Sequence, residues 1–450
     1  MHAPSPAAVG LMRTRGHDRA VEAVRGMIRG RAPHALLIGG PAGIGKTTLA
    51  LDLAAGLLCT DPDPDARPCR ACRGCRLVER GRHPDLHRLV PGGPGDQIRI
   101  GSRERPEDGT VRRLAIDLVL LPVEGGARVA IVERADRMGD DAQTALLKTL
   151  EEPPAGVTIV LCADDEDRLM PTVRSRCARL RLGPVATRDI EAILADGDLA
   201  DPPVAARLAR LSGGRPGLAR SLARSADAVA ARDESARTLL DLLGEGPAAR
   251  LAAARELVAA AGVYDRALSR GATADEAADE PGPPGGGRRG TAGRGRGAAA
   301  KGAERSPATR SAAAPAPTAD APGDPPAEDT EDEGAAATTV SAAQRRRAAA
   351  VVVALWRDLA RDLLVVRLGA ERDVRDPALL DDLQAASAAL GDPATVDAAP
   401  GAPADPAARE LTAFLQRLDA AGEQLEANLR PELVLDTLLL AWPSAPTSPG

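Results

Sequence analysis

The chain has 450 residues, with 58 Lys and Arg against 64 Asp and Glu, a formal charge of −6 at pH 7. That length suffices for about three domains with real cores and excludes a peptide hormone or a disulfide mini-domain, while the acidic balance argues against nucleic-acid binding through a global field. The four aromatic side chains, Trp356, Trp442, Tyr264 and Phe414, are too few for platforms that stack bases.

Lysine occurs only at positions 46, 148 and 301, so nearly all the positive charge is arginine. The longest apolar run, Ala348 to Trp356, is far shorter than the roughly 18 residues of a membrane span, and no signal-peptide pattern opens the sequence. The expectation is a cytoplasmic protein with no membrane partner.

In chain order, short apolar runs alternate with helical patterns, as in a parallel α/β sheet: a strand from His34 to Ile38, a helix from Thr47 to Leu58, a strand from Arg128 to Val132, a helix from Ala142 to Glu151, and a strand from Val157 to Leu161. Between the first strand and helix lies Gly40-Pro-Ala-Gly43-Ile-Gly45-Lys46-Thr47, a full match to the phosphate-binding loop in the context that supports it. Its glycines let backbone N–H groups curl around phosphates, Lys46 offers charge to the β and γ positions, and the Thr47 hydroxyl can hold Mg²⁺. Gly40, Gly43, Gly45, Lys46, Thr47 and Thr48 are therefore the candidate ATP contacts, a retained but empty loop being the other reading.

Cys59 follows the loop's helix, and Cys69-Arg-Ala-Cys72-Arg-Gly-Cys75 follows ten residues later. In a cytosolic chain such clustering points to metal before disulfides, and four thiolates at this spacing suit a closed, structural Zn²⁺ site. Free thiols are the alternative. His83 and His87 are spare potential ligands expected to serve packing or the surface, and Cys162 and Cys177 are read as small buried hydrophobes.

Hydrolysis normally needs a second strand that brings an acid for Mg²⁺ and a neighbouring carboxylate to polarise water. The candidate is Val129-Ala-Ile-Val-Glu133-Arg134-Ala-Asp136, in which Glu133 stands at the metal side and Arg134 occupies the place of the water-activating residue. A guanidinium cannot accept a proton at neutral pH, and losing a general base typically forfeits about 10² to 10⁴ in rate. The pattern is that of a nucleotide binder with damaged hydrolysis.

From Gly271 to Thr339 no Leu, Ile, Val, Met, Phe, Tyr, Trp or Cys occurs, and a basic block around Arg288 to Lys301 precedes an acidic one around Asp324 to Glu333. Such a stretch cannot bury enough apolar surface to offset chain entropy, so residues 271–340 are expected to be a disordered linker or insertion, either merely solvated or a tether. Beyond it only helices are legible: Val352, Trp356, Leu359 and Leu363, then Leu411, Phe414, Leu415 and Leu418, recur at helical spacing.

The phosphate loop, the cysteine module, Ala145-Leu-Leu-Lys-Thr-Leu-Glu-Glu-Pro-Pro154 and Pro171-Thr-Val-Arg-Ser-Arg176-Cys177 together resemble the delta-prime family of bacterial DNA polymerase III clamp-loader subunits, within the AAA+ class. The resemblance covers about residues 9 to 225, and the last two segments are specific to clamp loaders. It implies an AAA+ RecA-like α/β domain at 1–184 with a zinc module near 59–75, a helical lid at 185–225, the start of an all-α collar at 226–270, and the rest of that collar at 341–445. It also implies that Arg176 is an arginine finger offered in trans to ATP on a neighbouring subunit, a role worth about 10³ to 10⁵ in other phosphoryl-transfer enzymes. Pairing of Arg176 with a local carboxylate is the alternative.

Active relatives are expected to carry a polar sensor at the end of the Val157–Leu161 strand and a sensor arginine in the lid. Ala163 and Gly217 stand at those positions, with Arg215 as a substitute by register shift. The expected role is a subunit with little or no ATPase activity of its own. Its partners are tau/gamma and delta subunits, and through the complex a sliding clamp and primed DNA. The competing readings are an active tau/gamma-type ATPase and a non-enzymatic zinc-containing AAA+ scaffold. Silent binding of ATP with Mg²⁺ stays open in either case.

Overall fold

The computed structural model describes residues 10–92, 96–124, 126–278, 342–391, 405–427 and 429–444. Five strands form one wholly parallel sheet in the order β2-β3-β4-β1-β5: β1 (Ala35–Gly39), β2 (Leu86–Leu89), β3 (Arg128–Val132), β4 (Val157–Ala163) and β5 (Ala178–Arg181). Every residue of β1, β3 and β4 is buried, because a parallel sheet is covered on both faces and its inner strands read as unbroken apolar runs.

Two helical layers cover the sheet. On one face α1 (Asp18–Arg29) and α2 (Lys46–Leu57) pack Val24, Ile28, Leu49 and Leu53 against Leu36, Ile38, Val129 and Ile131, with α3 (Arg73–Glu79) set against α2. On the other, α4 (Val111–Val119) and α5 (Asp140–Glu151) pack Leu114, Leu118, Leu146 and Leu150 against Leu37, Val132, Ile159 and Leu161. The short α6 (Pro171–Arg174) leads into β5.

Helices α7 (Thr187–Asp196), α8 (Pro202–Leu211) and α9 (Pro216–Ala223) gather around Ile190, Leu194, Leu208 and Leu222, a core that α10 (Ala226–Asp241) and α11 (Pro247–Ala278) join through Ala228 and Tyr264. The C-terminal helices α12 (Ala342–Arg367), α13 (Leu380–Ala389), α14 (Pro406–Glu426) and α15 (Pro431–Ala441) pack with α10 and α11 around Trp356, Phe414 and Trp442. Those three rings touch one another with centroids 4.7 to 5.3 Å apart. Aromatic residues thus supply packing here, in line with their scarcity.

One boundary differs from the sequence reading. Helix α11 continues to Ala278, into the stretch 271–340 expected to be without structure, because Ala272, Ala274, Ala277 and Ala278 are strong helix formers that need no apolar partner to propagate a turn. The remainder of that stretch, like its charge blocks, lies outside the described residues. No helix among the described residues is long and apolar enough to cross a membrane.

Candidate nucleotide cleft and cysteine cluster

The C-terminal ends of β1, β3 and β4 lie side by side, since Gly39 pairs with Ala163 and Val132 with Leu161. Open α/β sheets bind ligands at this edge. A cleft of about 920 Å³ opens there, lined by the phosphate loop, Glu133, Arg134, Asp164 and, from α9 and the residues before it, Arg215, Gly217 and Leu218. Gly43, Gly45, Lys46, Thr47 and Thr48 all line it.

Gly45 caps α2 at φ 107°, a left-handed conformation that favours glycine, and so turns the chain from loop into helix. The N-terminus of α2 then faces the cleft with its unsatisfied N–H groups, a ready anion site. A Cβ on Gly40 would lie 2.5 Å from the Leu182 carbonyl oxygen, so the loop is held close against β5's exit. This donor set fits a nucleotide phosphate.

Lys46 is 6% exposed, and its ammonium donates to three acceptors: Gly40 O at 2.6 Å, Pro41 O at 2.8 Å and Asp164 Oδ1 at 2.6 Å. Asp164 is fixed from below, its backbone N–H donating to the buried Asp136 carboxylate at 2.8 Å. Burial pushes Asp136 above the usual carboxylate range.

Thr47 Oγ1 lies 3.4 Å from Glu133 Oε2, which brings together the hydroxyl and the acid expected to flank Mg²⁺. Glu133 also accepts from Arg88 Nε at 2.8 Å and Nη2 at 2.5 Å. Arg134, at φ 50°, pairs with Asp96. No carboxylate stands at the water-activating position.

At the two positions where sensors are expected to be missing, the surroundings are as follows. Ala163 is buried in β4 and offers nothing to the cleft, while the next residue, Asp164, reaches Lys46. Gly217 N–H donates to Gly43 O at 2.8 Å, and a Cβ there would sit 3.0 Å from that same oxygen. An arginine at 217 is therefore sterically opposed by the loop itself. Arg215 does line the cleft, with Nε donating to Ser212 O at 2.9 Å, and burial pulls its pKa down.

Arg176 lies away from the cleft lining. Its guanidinium donates to Thr172 O at 2.9 Å and pairs with Glu151 at 2.6 Å, at about one third exposure. In the single chain the local pairing is thus the one made, on a surface where a partner could compete for it.

The sulfurs of Cys59, Cys69, Cys72 and Cys75 all lie within 4.8 Å of one another, close enough to hold a single metal ion. Cys59 Sγ is 3.5 Å from Cys69 Sγ and 3.9 Å from Cys72 Sγ. Backbone N–H groups of Cys72 and Cys75 point at the sulfurs of Cys69 and Cys72, at 3.4 and 3.3 Å. Burial pushes the Cys59 and Cys75 thiols up, while at Cys72 burial is outweighed by donors from Cys75 and Thr60 that bring it down to about 6, so without an ion Cys72 is favoured as the thiolate and a cation is needed to hold Cys59 and Cys75 deprotonated. Thiolate is the ligating form, so the donor set fits a metal that prefers sulfur. His83 and His87 stand outside this cluster: His83 Nδ1 accepts from Asp85 N–H at 3.1 Å, and His87 faces Asp117.

Residues 17–186 match the family model described as DNA polymerase III, delta subunit. Over these residues the chain is similar to that family and to the following relatives. It is 38% identical over 200 residues to DNA polymerase III subunit delta-prime of Pseudomonas aeruginosa, covering 43% of this chain and 58% of that protein. To the delta-prime subunit of Escherichia coli it is 35% identical over 193 residues, 43% of this chain and 55% of the relative. To the tau subunit of Salmonella typhimurium it is 34% identical over 198 residues, 43% of this chain and 29% of the relative. The chain spans less than two thirds of each of these relatives. Both the phosphate loop and the cysteine cluster fall inside the matched residues 17–186.

Proposed function

We propose that this chain is a delta-prime-type subunit of a DNA polymerase III clamp loader, which helps a sliding clamp onto primed DNA while hydrolysis is done by its neighbours. In this reading residues 1–184 are an AAA+ domain, the helices between 187 and 223 a lid, and the helices from 226 onward a collar that meets tau/gamma and delta. Identity of 38% and 35% to delta-prime subunits over 200 and 193 residues supports the assignment.

The observation that carries the non-hydrolysing part is the end of β3. Glu133 is paired with Arg88, and the following residue, where a water-activating carboxylate is expected, is an arginine turned to Asp96, so that position offers no general base. Arg176 is then the residue offered in trans, exchanging Glu151 for a neighbour's γ-phosphate. In the same reading the cleft holds ATP or ADP with Mg²⁺ between Thr47 and Glu133. The four cysteines hold Zn²⁺, whose contribution is a structural cross-link.

Gel filtration of the purified full chain with purified tau/gamma and delta tests the proposal. The expected result is one co-eluting complex whose DNA-dependent ATPase exceeds that of tau/gamma with delta alone, and no turnover by this chain in isolation. Failure to co-elute, or robust ATPase by the isolated chain, overturns it.

A further inference from the structure

A lysine ammonium has three N–H donors, and on Lys46 all three are engaged by the protein. Two are bound to carbonyls of the phosphate loop, which move only if the loop unwinds. The third is bound to Asp164, whose carboxylate stands on Lys46 where a phosphate oxygen would sit. Its position is set by the backbone bond to buried Asp136, and it is the only one of the three acceptors that a side-chain rotation can remove.

The other charges around the cleft leave this arrangement standing. Arg134 is paired with Asp96, Arg15 with Asp196, and Glu133 with Arg88, while Arg215 is held on Ser212 O. Arg13, paired with Glu79, and Arg220 line the cleft as well, and among the described residues the one side chain bonded to the Lys46 ammonium is Asp164. A diphosphate can take the single exchangeable N–H of Lys46 with its terminal group. A triphosphate needs Lys46 for both β and γ positions and brings one more negative charge beside Asp164.

We propose that Asp164 determines which nucleotide the cleft accepts: its carboxylate acts as an internal substitute for the γ-phosphate on Lys46 and makes the site selective for a nucleoside diphosphate over a triphosphate. This rests on the nucleotide-binding part of the proposed function and deepens it. The consequence is a phosphate loop kept in its folded, charge-neutral form by its own chain, without nucleotide.

The test titrates fluorescent N-methylanthraniloyl derivatives of ADP and ATP, with Mg²⁺, into the full chain and into Asp164→Asn, Asp164→Ser and Lys46→Ala. The wild type is expected to bind the diphosphate about tenfold more tightly than the triphosphate. Asp164→Asn should tighten the triphosphate by about tenfold or more while changing the diphosphate less than about threefold, and Lys46→Ala should abolish both. Asp164→Ser repeats the charge removal with a smaller side chain, and circular dichroism melting confirms that each variant folds.

Equal changes for the two nucleotides overturn the selectivity. Weaker triphosphate binding by Asp164→Asn overturns it too, because the carboxylate would then be serving the metal side. Absence of any binding by wild type and Asp164→Asn also overturns it, while co-elution with tau/gamma and delta still tests the clamp-loader reading independently.

Discussion

With Zn²⁺ on the four cysteines as proposed, removing it should loosen one segment and leave the cleft alone. The cluster ties Cys59, at the end of α2, to Cys75 within α3, closing a loop of seventeen residues. Treated as a cross-link of that length, the metal contributes about 3 kcal/mol by restricting the open state. That corresponds to roughly a hundredfold change in how often the segment opens. The contacts that survive include Arg67 Nε to Asp61 O at 2.6 Å, Arg70 Nε to Leu11 O at 2.9 Å, Arg70 with Asp52, and Val78 in the core beside α2. Opening should therefore stay local. Treatment with a zinc chelator, followed by amide hydrogen exchange, should speed exchange at Cys72, Cys75 and Val78 by about a hundredfold. Amides of β1, β3 and β4 should change less than about threefold, because Leu49 and Leu53 still seal α2 onto the sheet. Mass spectrometry of the untreated protein should find one zinc per chain. Uniform acceleration across the sheet, or a metal-free protein whose four thiols all react with a thiol reagent, would refute the reasoning.

Arg250, 3% exposed, donates to the carbonyls of Leu242, Leu243 and Glu245 after α10 and of Leu439, Trp442 and Pro443 around the end of α15. Arg250→Met should cost about 3 to 5 kcal/mol in urea unfolding followed by tryptophan fluorescence, since both tryptophans sit in that core; a loss under about 1 kcal/mol would refute the role. Arg176→Ala should leave the isolated chain's melting unchanged and remove the extra ATPase of the reconstituted complex, and unaltered complex ATPase would end the finger assignment. Burial holds the His83 pKa below its ordinary value and its Nδ1 accepts a backbone N–H, so the folded state disfavours the proton that the unfolded chain takes up below about 6.5. Its contribution to stability is present above that pH and lost as the pH falls toward the folded value, so the melting temperature should drop as the pH is lowered through and below about 6.5, and His83→Asn should flatten that slope.

The inner strands were legible because nothing but burial shapes them: Leu-Leu-Ile, Val-Ala-Ile-Val and Val-Thr-Ile-Val-Leu are apolar at every turn of the pleat or nearly so. Edge strands β2 and β5 were not, since Leu-His-Arg-Leu is buried only at its two ends and Ala-Arg-Leu-Arg only half-buries Leu180, and four residues are too few for a period to emerge. The phosphate loop and the cysteine module announce themselves by spacing alone. Asp164 does not, because its partner Lys46 is 118 residues away, and the expectation fell on its neighbour Ala163. The general rule that ligands gather at strand C-termini, applied to the Asp-Asp pair ending β4, is the signal that would have found it. Arg250 carried no signal at all: an arginine in a helix reads as surface, and only the meeting of two distant helix ends makes it a cap.

Several charged groups around the cleft are answered from within the chain: Lys46 by Asp164, Glu133 by Arg88, Arg134 by Asp96 and Arg15 by Asp196. A nucleotide entering such a site exchanges ions rather than filling an electrostatic vacancy, so its affinity is the difference between two similar pairings and stays modest. Turnover asks for more, namely a base beside the γ-phosphate, and Arg134 opposes that directly. The same closure of charge does not extend to Arg176, whose partner Glu151 is about half exposed and gains little from the pair in water. An arginine held that lightly on a surface is easily traded for a phosphate, and a cation buried as Lys46 is buried is not. The cleft's charges are thus closed within the chain, whereas the guanidinium of Arg176 is held by one half-exposed carboxylate, which is the contrast that the proposed role in trans requires.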